Sequence, residues 1–293
     1  MEMSLKEYLA SGRILIADGA TGTMLMAAGL PAGAPPEIWN VETPVQIVAL
    51  HQTYLEAGSQ IILTNSFGGN PLKLAKYGFE DRATELNLAA ARLARQAAEG
   101  RAYVAGDIGP TGELMEPLGP LSPDTAFEAF KVQAEALVEG GVDALWIETM
   151  TDLEEARAAV LAAREVTRLP VFCSLSFGLK SRTMMGVSAR RAAAELWSLG
   201  LSAVGANCGE GLDMIPEVLR QMREAVPEAV LIAKPNAGLP KMVGKETIYD
   251  VGPADFARQM QSFVELGARI VGSCCGSSPE YIGALTAALA PSI

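Results

Sequence analysis

Cys208 and the consecutive pair Cys274 and Cys275 are the residues whose type and spacing most directly suggest chemistry in this 293-residue chain. Three thiolates gathered at one point would bind zinc and leave its fourth tetrahedral position open to an exchangeable ligand. A thiol taken up there loses its proton to the cation's field and becomes a sulfur nucleophile at neutral pH, able to attack an electrophilic methyl group. The competing reading is that the three cysteines pack as small apolar side chains or form an occasional disulfide. Consecutive residues of a regular strand point to opposite faces, but Gly272 and Gly276 flank the pair and would let the backbone turn both sulfurs inward. The fourth cysteine, Cys173, lies inside the run Phe172-Cys173-Ser174, where a structural role is expected. His51, the only histidine, sits in a helix-like stretch after Pro44, which suits packing or a helix surface and disfavours a histidine-based hydrolase.

Asp18 and Glu148 are the acidic candidates. Together they would hold an ammonium group while the backbone amides of Gly19, Ala20 and Thr21 meet a carboxylate, an arrangement suited to a free amino acid. Loop capping and surface ion pairing are the alternatives for both residues.

Positioning these groups requires a particular scaffold. Eight short apolar runs, at 14–17, 60–64, 102–106, 144–148, 171–175, 203–207, 230–234 and 269–273, alternate with longer amphipathic stretches. Among the latter, 122–139 opens with Ser122 as N-cap and Pro123 at the first helical position, and 152–165 opens with a capping Asp152. Near-continuous apolar strands separated by helices imply a parallel sheet buried on both faces, and the eightfold repeat predicts an α/β (β/α)8 TIM barrel filling 1–293 as one domain. No G-x-G-x-x-G turn follows the first run, which argues against an open dinucleotide-binding sheet. Asp18, Asn65, Asp107, Glu148, Asn207-Cys208, Asn236 and Cys274-Cys275 fall at or just after the ends of strand candidates. In a barrel these positions meet at the C-terminal face, so sequence distance is no obstacle to convergence. The Pro/Gly-rich pieces 29–36 and 109–123 read as long loops at that end.

The formal net charge of -11 disfavours nucleic acid and anionic membranes as partners and leaves a small molecule as the better fit. Apolar residues at 49% against 19% charged support a well-buried interior. The N-terminus lacks the basic and apolar stretches of a secretory signal, and no segment of about 20 apolar residues follows, so a cytoplasmic location is expected. Four cysteines are too few for a disulfide scaffold.

At this point the residues resemble the homocysteine S-methyltransferase family, which includes betaine-homocysteine methyltransferases and the homocysteine-binding module of cobalamin-dependent methionine synthase. The resemblance runs through Asp18-Gly19-Ala20-Thr21-Gly22-Thr23, Thr64-Asn65-Ser66-Phe67, Gly109-Pro110, Glu148-Thr149-Met150, Asn207-Cys208, Lys234-Pro235-Asn236-Ala237-Gly238 and Gly272-Ser273-Cys274-Cys275-Gly276. It implies a zinc barrel for methionine biosynthesis in which Cys208, Cys274 and Cys275 are the metal ligands and the homocysteine sulfur takes the open position. It further implies Asp18 and Glu148 at the amino group, the Gly19 to Thr21 amides at the carboxylate, and the Asn236 side-chain oxygen on zinc in the resting state. Ser273 departs from the family, which usually has a second glycine there. These 293 residues are not expected to include the C-terminal extension of animal betaine enzymes or the folate, cobalamin and activation modules of methionine synthase, so donor and oligomeric state are not expected to transfer from the resemblance. A betaine-like onium donor would need an aromatic surround, for which Trp39, Phe67 and Tyr77 are candidates if they do not simply pack. The alternatives are methylcobalamin on a separate corrinoid protein, or a non-catalytic, zinc-stabilised homocysteine-binding module.

Overall fold

The protein, seen in a computed structural model, is described for residues 3–243 and 246–290. Its strands are β1 (Leu15–Ile16), β2 (Ile61–Leu63), β3 (Tyr103–Ile108), β4 (Ala144–Met150), β5 (Val171–Leu175), β6 (Ala203–Cys208), β7 (Leu231–Pro235), β8 (Pro240–Val243), β9 (Glu246–Tyr249) and β10 (Ala268–Val271). All but β8 and β9 form one parallel sheet in the order β1-β10-β7-β6-β5-β4-β3-β2. Its two ends meet through a parallel bridge between Ala17 and Ile61, reinforced by the Gln60 amide donating to the Ile16 carbonyl at 2.7 Å. The sheet is thereby a closed (β/α)8 barrel, and each barrel strand falls on one of the eight apolar runs.

Period-two alternation sorts the strand residues into two layers. Leu15, Ile61, Tyr103, Ala144, Trp146, Phe172, Ala203, Ile232 and Ile270 fill the barrel interior, with Trp146 set edge-on against Phe172 at 5.4 Å. The alternate set, including Ile16, Val104, Leu145, Cys173, Val204 and Val271, faces the surrounding helices. Cys173 is therefore a packing residue; burial pushes its thiol up to about 12. The helix Leu5–Ala10, opened by a capping box between Ser4 and Glu7, contributes Leu5 and Tyr8 to the interior cluster. Tyr8 donates to the Ile14 carbonyl at 2.8 Å and stacks edge-on against Tyr103.

The interior columns change character along the strands. Tyr103 and Ala105 are followed by Asp107, Ala144 and Trp146 by Glu148, and Ile232 by Lys234, all of them buried. The apolar plug thus gives way to charge at the C-terminal end.

Both predicted caps are present. Ser122 accepts from the Thr125 amide at 3.1 Å to open Pro123–Glu139, and Asp152 accepts from the Glu154 amide at 2.7 Å to open Leu153–Val166. The boundaries differ where the backbone is irregular. β4 continues to Met150 through a register shift against β5, with Thr149 at φ 62°. β10 ends at Val271, so Ser273, Cys274 and Cys275 lie in a turn beyond the strand. The antiparallel β8–β9 hairpin was not anticipated. No helix among the described residues is long and apolar enough to cross a membrane.

Candidate active site

The sulfurs of Cys208, Cys274 and Cys275 lie within 4.8 Å of one another. Cys208 closes β6 in the left-handed region at φ 57°, an uncommon conformation for a side chain with a Cβ. The turn carrying the other two is fixed from both sides. The Cys274 amide donates to the Pro235 carbonyl at 2.9 Å, and the Cys275 carbonyl accepts from the Ala237 amide at 3.0 Å.

The two flanking glycines have different functions. Gly276 supplies the positive φ of 79°, and a Cβ on it would stand 2.1 Å from the Tyr249 ring. Gly272 instead permits close approach, since its Cβ would lie 2.8 Å from the Asp18 carbonyl oxygen. Ser273 is accommodated by its own hydrogen bond. Its hydroxyl donates to Ser277 Oγ at 2.8 Å, and Ser277 donates to the Cys274 carbonyl, also at 2.8 Å, knitting the turn together.

The three sulfurs are close enough to perturb one another's ionisation. Contact with Cys274 and Cys275 lowers the pKa of Cys208, and contact with Cys208 raises those of its two neighbours. Around them stand two asparagines. Asn207 accepts from the Thr149 amide at 2.8 Å and from Ser174 Oγ at 2.7 Å, and turns its Nδ2 toward Cys274 Sγ at 4.0 Å. Asn236 donates to the Gly209 carbonyl at 3.0 Å, while its Oδ1 is buried with no hydrogen-bond partner among the described residues. Three soft donors and an unused oxygen beside Cys208 suit a zinc ion, whose preferred ligands are thiolates with room for one more.

These sulfurs open into a cavity of about 460 Å³, within the usual range for a small-molecule site. Asp18, Gly19, Ala20, Thr21, Glu148, Phe67 and Tyr77 line the same cavity as the three cysteines. Trp39 does not. It follows the short turn Pro36–Ile38, which leaves its indole half-buried against the core clusters, while Pro35, Pro36 and Glu37 face the cavity instead. Of the three amides, that of Ala20 donates to Ser277 Oγ at 3.2 Å, which leaves Gly19 and Thr21 as the ones available to a ligand. His51 is buried in the helix Pro44–Glu56, away from the cavity, and burial holds it down at about 4, hence neutral.

Several lining residues escaped the reading from sequence. Glu37 is buried and accepts from the Gly68 amide at 2.6 Å; Lys73 and Met26 also line the cavity, and Tyr249 covers the cysteine turn from β9. The most consequential is Lys234, 3% exposed, whose Nζ lies 3.4 Å from Glu148 Oε2, 3.6 Å from Asp18 Oδ1 and 4.9 Å from the centre of the Trp146 ring. Burial alone would favour the neutral amine, but Glu148 and Asp18 outweigh it and raise its pKa. Burial also raises Asp18 to about 6, against the opposing pull of Lys234 and the Leu63 amide, and raises Glu148. An interior position at the end of a period-two column was the signal that could have found Lys234.

The sequence pattern that defines homocysteine S-methyltransferases matches residues 15–289, and the chain belongs to that family. It is 33% identical over 300 residues to the methionine synthase of Mycobacterium tuberculosis, covering 96% of this chain and 25% of that protein. With the methionine synthase of Mycobacterium leprae it shares 31% identity over 309 residues, covering 99% of this chain and 25% of that one. The chain thus spans about a quarter of the length of these curated relatives. Among solved structures it is similar to the metallated form of the Escherichia coli homocysteine methyltransferase MmuM, with a TM-score of 0.79 and 27% identity over 97% of this chain and 99% of that one.

Proposed function

We propose that this chain, acting as a single barrel over 1–293, transfers a methyl group to the thiolate of homocysteine and forms methionine, with zinc held by Cys208, Cys274 and Cys275. The observation that carries the reading is the opening of three clustered thiols and a buried carboxylate pair into one cavity. Zinc, when bound, would lower the pKa of the acceptor thiol and keep its sulfur nucleophilic near neutral pH. The remaining contributions come from the protein. Asp18 and Glu148 hold the α-ammonium, and the Gly19 and Thr21 amides meet the carboxylate, so the sulfur is directed at the cysteines by contacts at the far end of the substrate. Asn236 offers its unused oxygen to the metal in the resting state. Phe67 and Tyr77 wall the side from which a small onium donor would approach.

Methylcobalamin on a separate corrinoid protein is the second reading of the donor, favoured by the relationship to a quarter of two methionine synthases. The likeness to MmuM, a homocysteine methyltransferase, over 99% of its chain supports homocysteine as the acceptor. Reduced thiols at one centre suit the cytoplasm. The test offers betaine, S-methylmethionine, dimethylsulfoniopropionate, S-adenosylmethionine and methylcobalamin to zinc-loaded protein with homocysteine, and measures methionine. Product from one of the onium donors is the expected result. Product only from methylcobalamin transfers the assignment to the corrinoid reading, and no product from any donor overturns the activity in favour of a binding module.

A further inference from the structure

The cavity floor holds more negative charge than the contacts named so far employ. The carboxyl groups of Asp18, Asp107 and Glu148 are buried together with, among the described residues, a single ammonium, that of Lys234. Its distances of 3.4 and 3.6 Å to Glu148 and Asp18 are long beside the roughly 2.7–2.9 Å of a charge-assisted hydrogen bond. Asp18 fixes one oxygen on the Leu63 amide at 2.8 Å, and its Oδ1 is buried without a hydrogen bond among the described residues. Asp107 Oδ1 is likewise buried without one, although the residue lines the cavity.

The backbone beneath that carboxyl is, by contrast, fully engaged. The Asp107 amide donates to Thr64 Oγ1 at 2.9 Å, and its carbonyl accepts from Ser66 Oγ at 2.8 Å and from Gln133 Nε2 at 3.3 Å. Gln133 is braced in turn by donating to the Ser66 carbonyl at 2.6 Å and to Asn87 Oδ1 at 3.2 Å. A carboxyl on so rigid a mount, with an unused buried acceptor beside a cavity, is rare unless a ligand supplies the donor.

We propose that Asp107 is a third contact for the α-ammonium of the substrate, beside Asp18 and Glu148, and that it makes the pocket select acceptors with a free amino group. The proposal rests on the reading of homocysteine as acceptor. An ammonium brings three N–H donors and one positive charge. The three carboxyl groups supply the acceptors, and Lys234 alone leaves charge for the newcomer to balance. A thiol without an amino group would bring no donor to these oxygens, and sites built to bind a polar group reject analogues that lack it. Burial, and after it the nearby Glu148, push the Asp107 carboxyl well above the usual range, as expected for a group awaiting a cation.

The test compares Asp107→Asn with the unaltered full chain, both zinc-loaded, in calorimetric binding of homocysteine and of 4-mercaptobutanoate, which keeps the thiol and carboxylate but lacks the amino group. The substitution is expected to weaken homocysteine binding about tenfold to a hundredfold, the worth of a hydrogen bond to a charged group, and to leave 4-mercaptobutanoate within about twofold. An equal loss for both thiols, or undiminished binding of homocysteine, overturns the assignment. Asp107→Ser carries the same expectation should the asparagine variant fail to fold. Failure of the acceptor reading looks different, because the unaltered chain would then bind neither thiol.

Discussion

Replacing Cys208 with alanine is expected to abolish zinc retention and methionine formation together. Cys208 is one of three sulfurs within 4.8 Å of one another, so its loss leaves the ion two of its three thiolate ligands. Loss of an outer-shell partner alone commonly weakens metal binding about ten- to a hundredfold, and a missing thiolate ligand costs more. Turnover should fall by at least about a thousandfold, since Lewis-acid stabilisation contributes several kcal/mol and each ~1.4 kcal/mol is a factor of ten. The fold should survive, because Cys208 lies at the strand end and is only partly buried. Zinc content by atomic absorption, methionine formation and the thermal midpoint check these points. Full activity in zinc-free variant protein would refute the role given to the cluster.

Replacing Lys234 with methionine should produce the largest loss of stability. Removing one partner of a buried ion pair typically costs about 3–5 kcal/mol, because the opposite charge stays buried and unpaired. Here Asp18, Glu148 and Asp107 would all lose the buried cation that lowers their pKa values. The effect should depend on pH in a defined direction. Asp18 has its folded pKa raised from 3.8 to about 6, so the stability linked to it is present below the unfolded value and lost as pH rises through about 6. Lys234 restrains that rise, and without it the carboxyl groups move further up. The deficit is therefore expected to be greatest near pH 8 and to shrink toward pH 5, where the carboxyl groups can take up protons. Urea unfolding at the two pH values measures it. A deficit of equal size at both would contradict the charge-based account of Lys234.

Much of the scaffold was legible in the sequence because its signals are local. Strand runs, the Ser122 and Asp152 caps and strand-end polar residues depend on neighbours a few positions away, and the barrel turns such positions into one rim. The cluster of Cys208 with Cys274 and Cys275 followed from that rule. What the sequence concealed depends on side-chain direction and on the exact course of loops. Trp39 has the composition of a donor wall but follows a short helical turn that aims it into the core. The Ala20 amide looks free in a glycine-rich loop yet meets Ser277, 257 positions away. Lys234 reads as part of a lysine-proline motif, and only the inward column of β7 reveals it as the buried counter-ion of the acidic residues. Tyr249 reaches the site on a hairpin whose connection to Gly276 no short-range pattern records.

The most direct test of the central claim is X-ray absorption at the zinc edge, recorded with and without homocysteine in otherwise identical samples. If Cys208, Cys274 and Cys275 bind the ion and homocysteine is the acceptor, the sulfur coordination should rise from three to four when homocysteine is added, with loss of the lighter resting ligand. An unchanged zinc environment in protein saturated with homocysteine would contradict it.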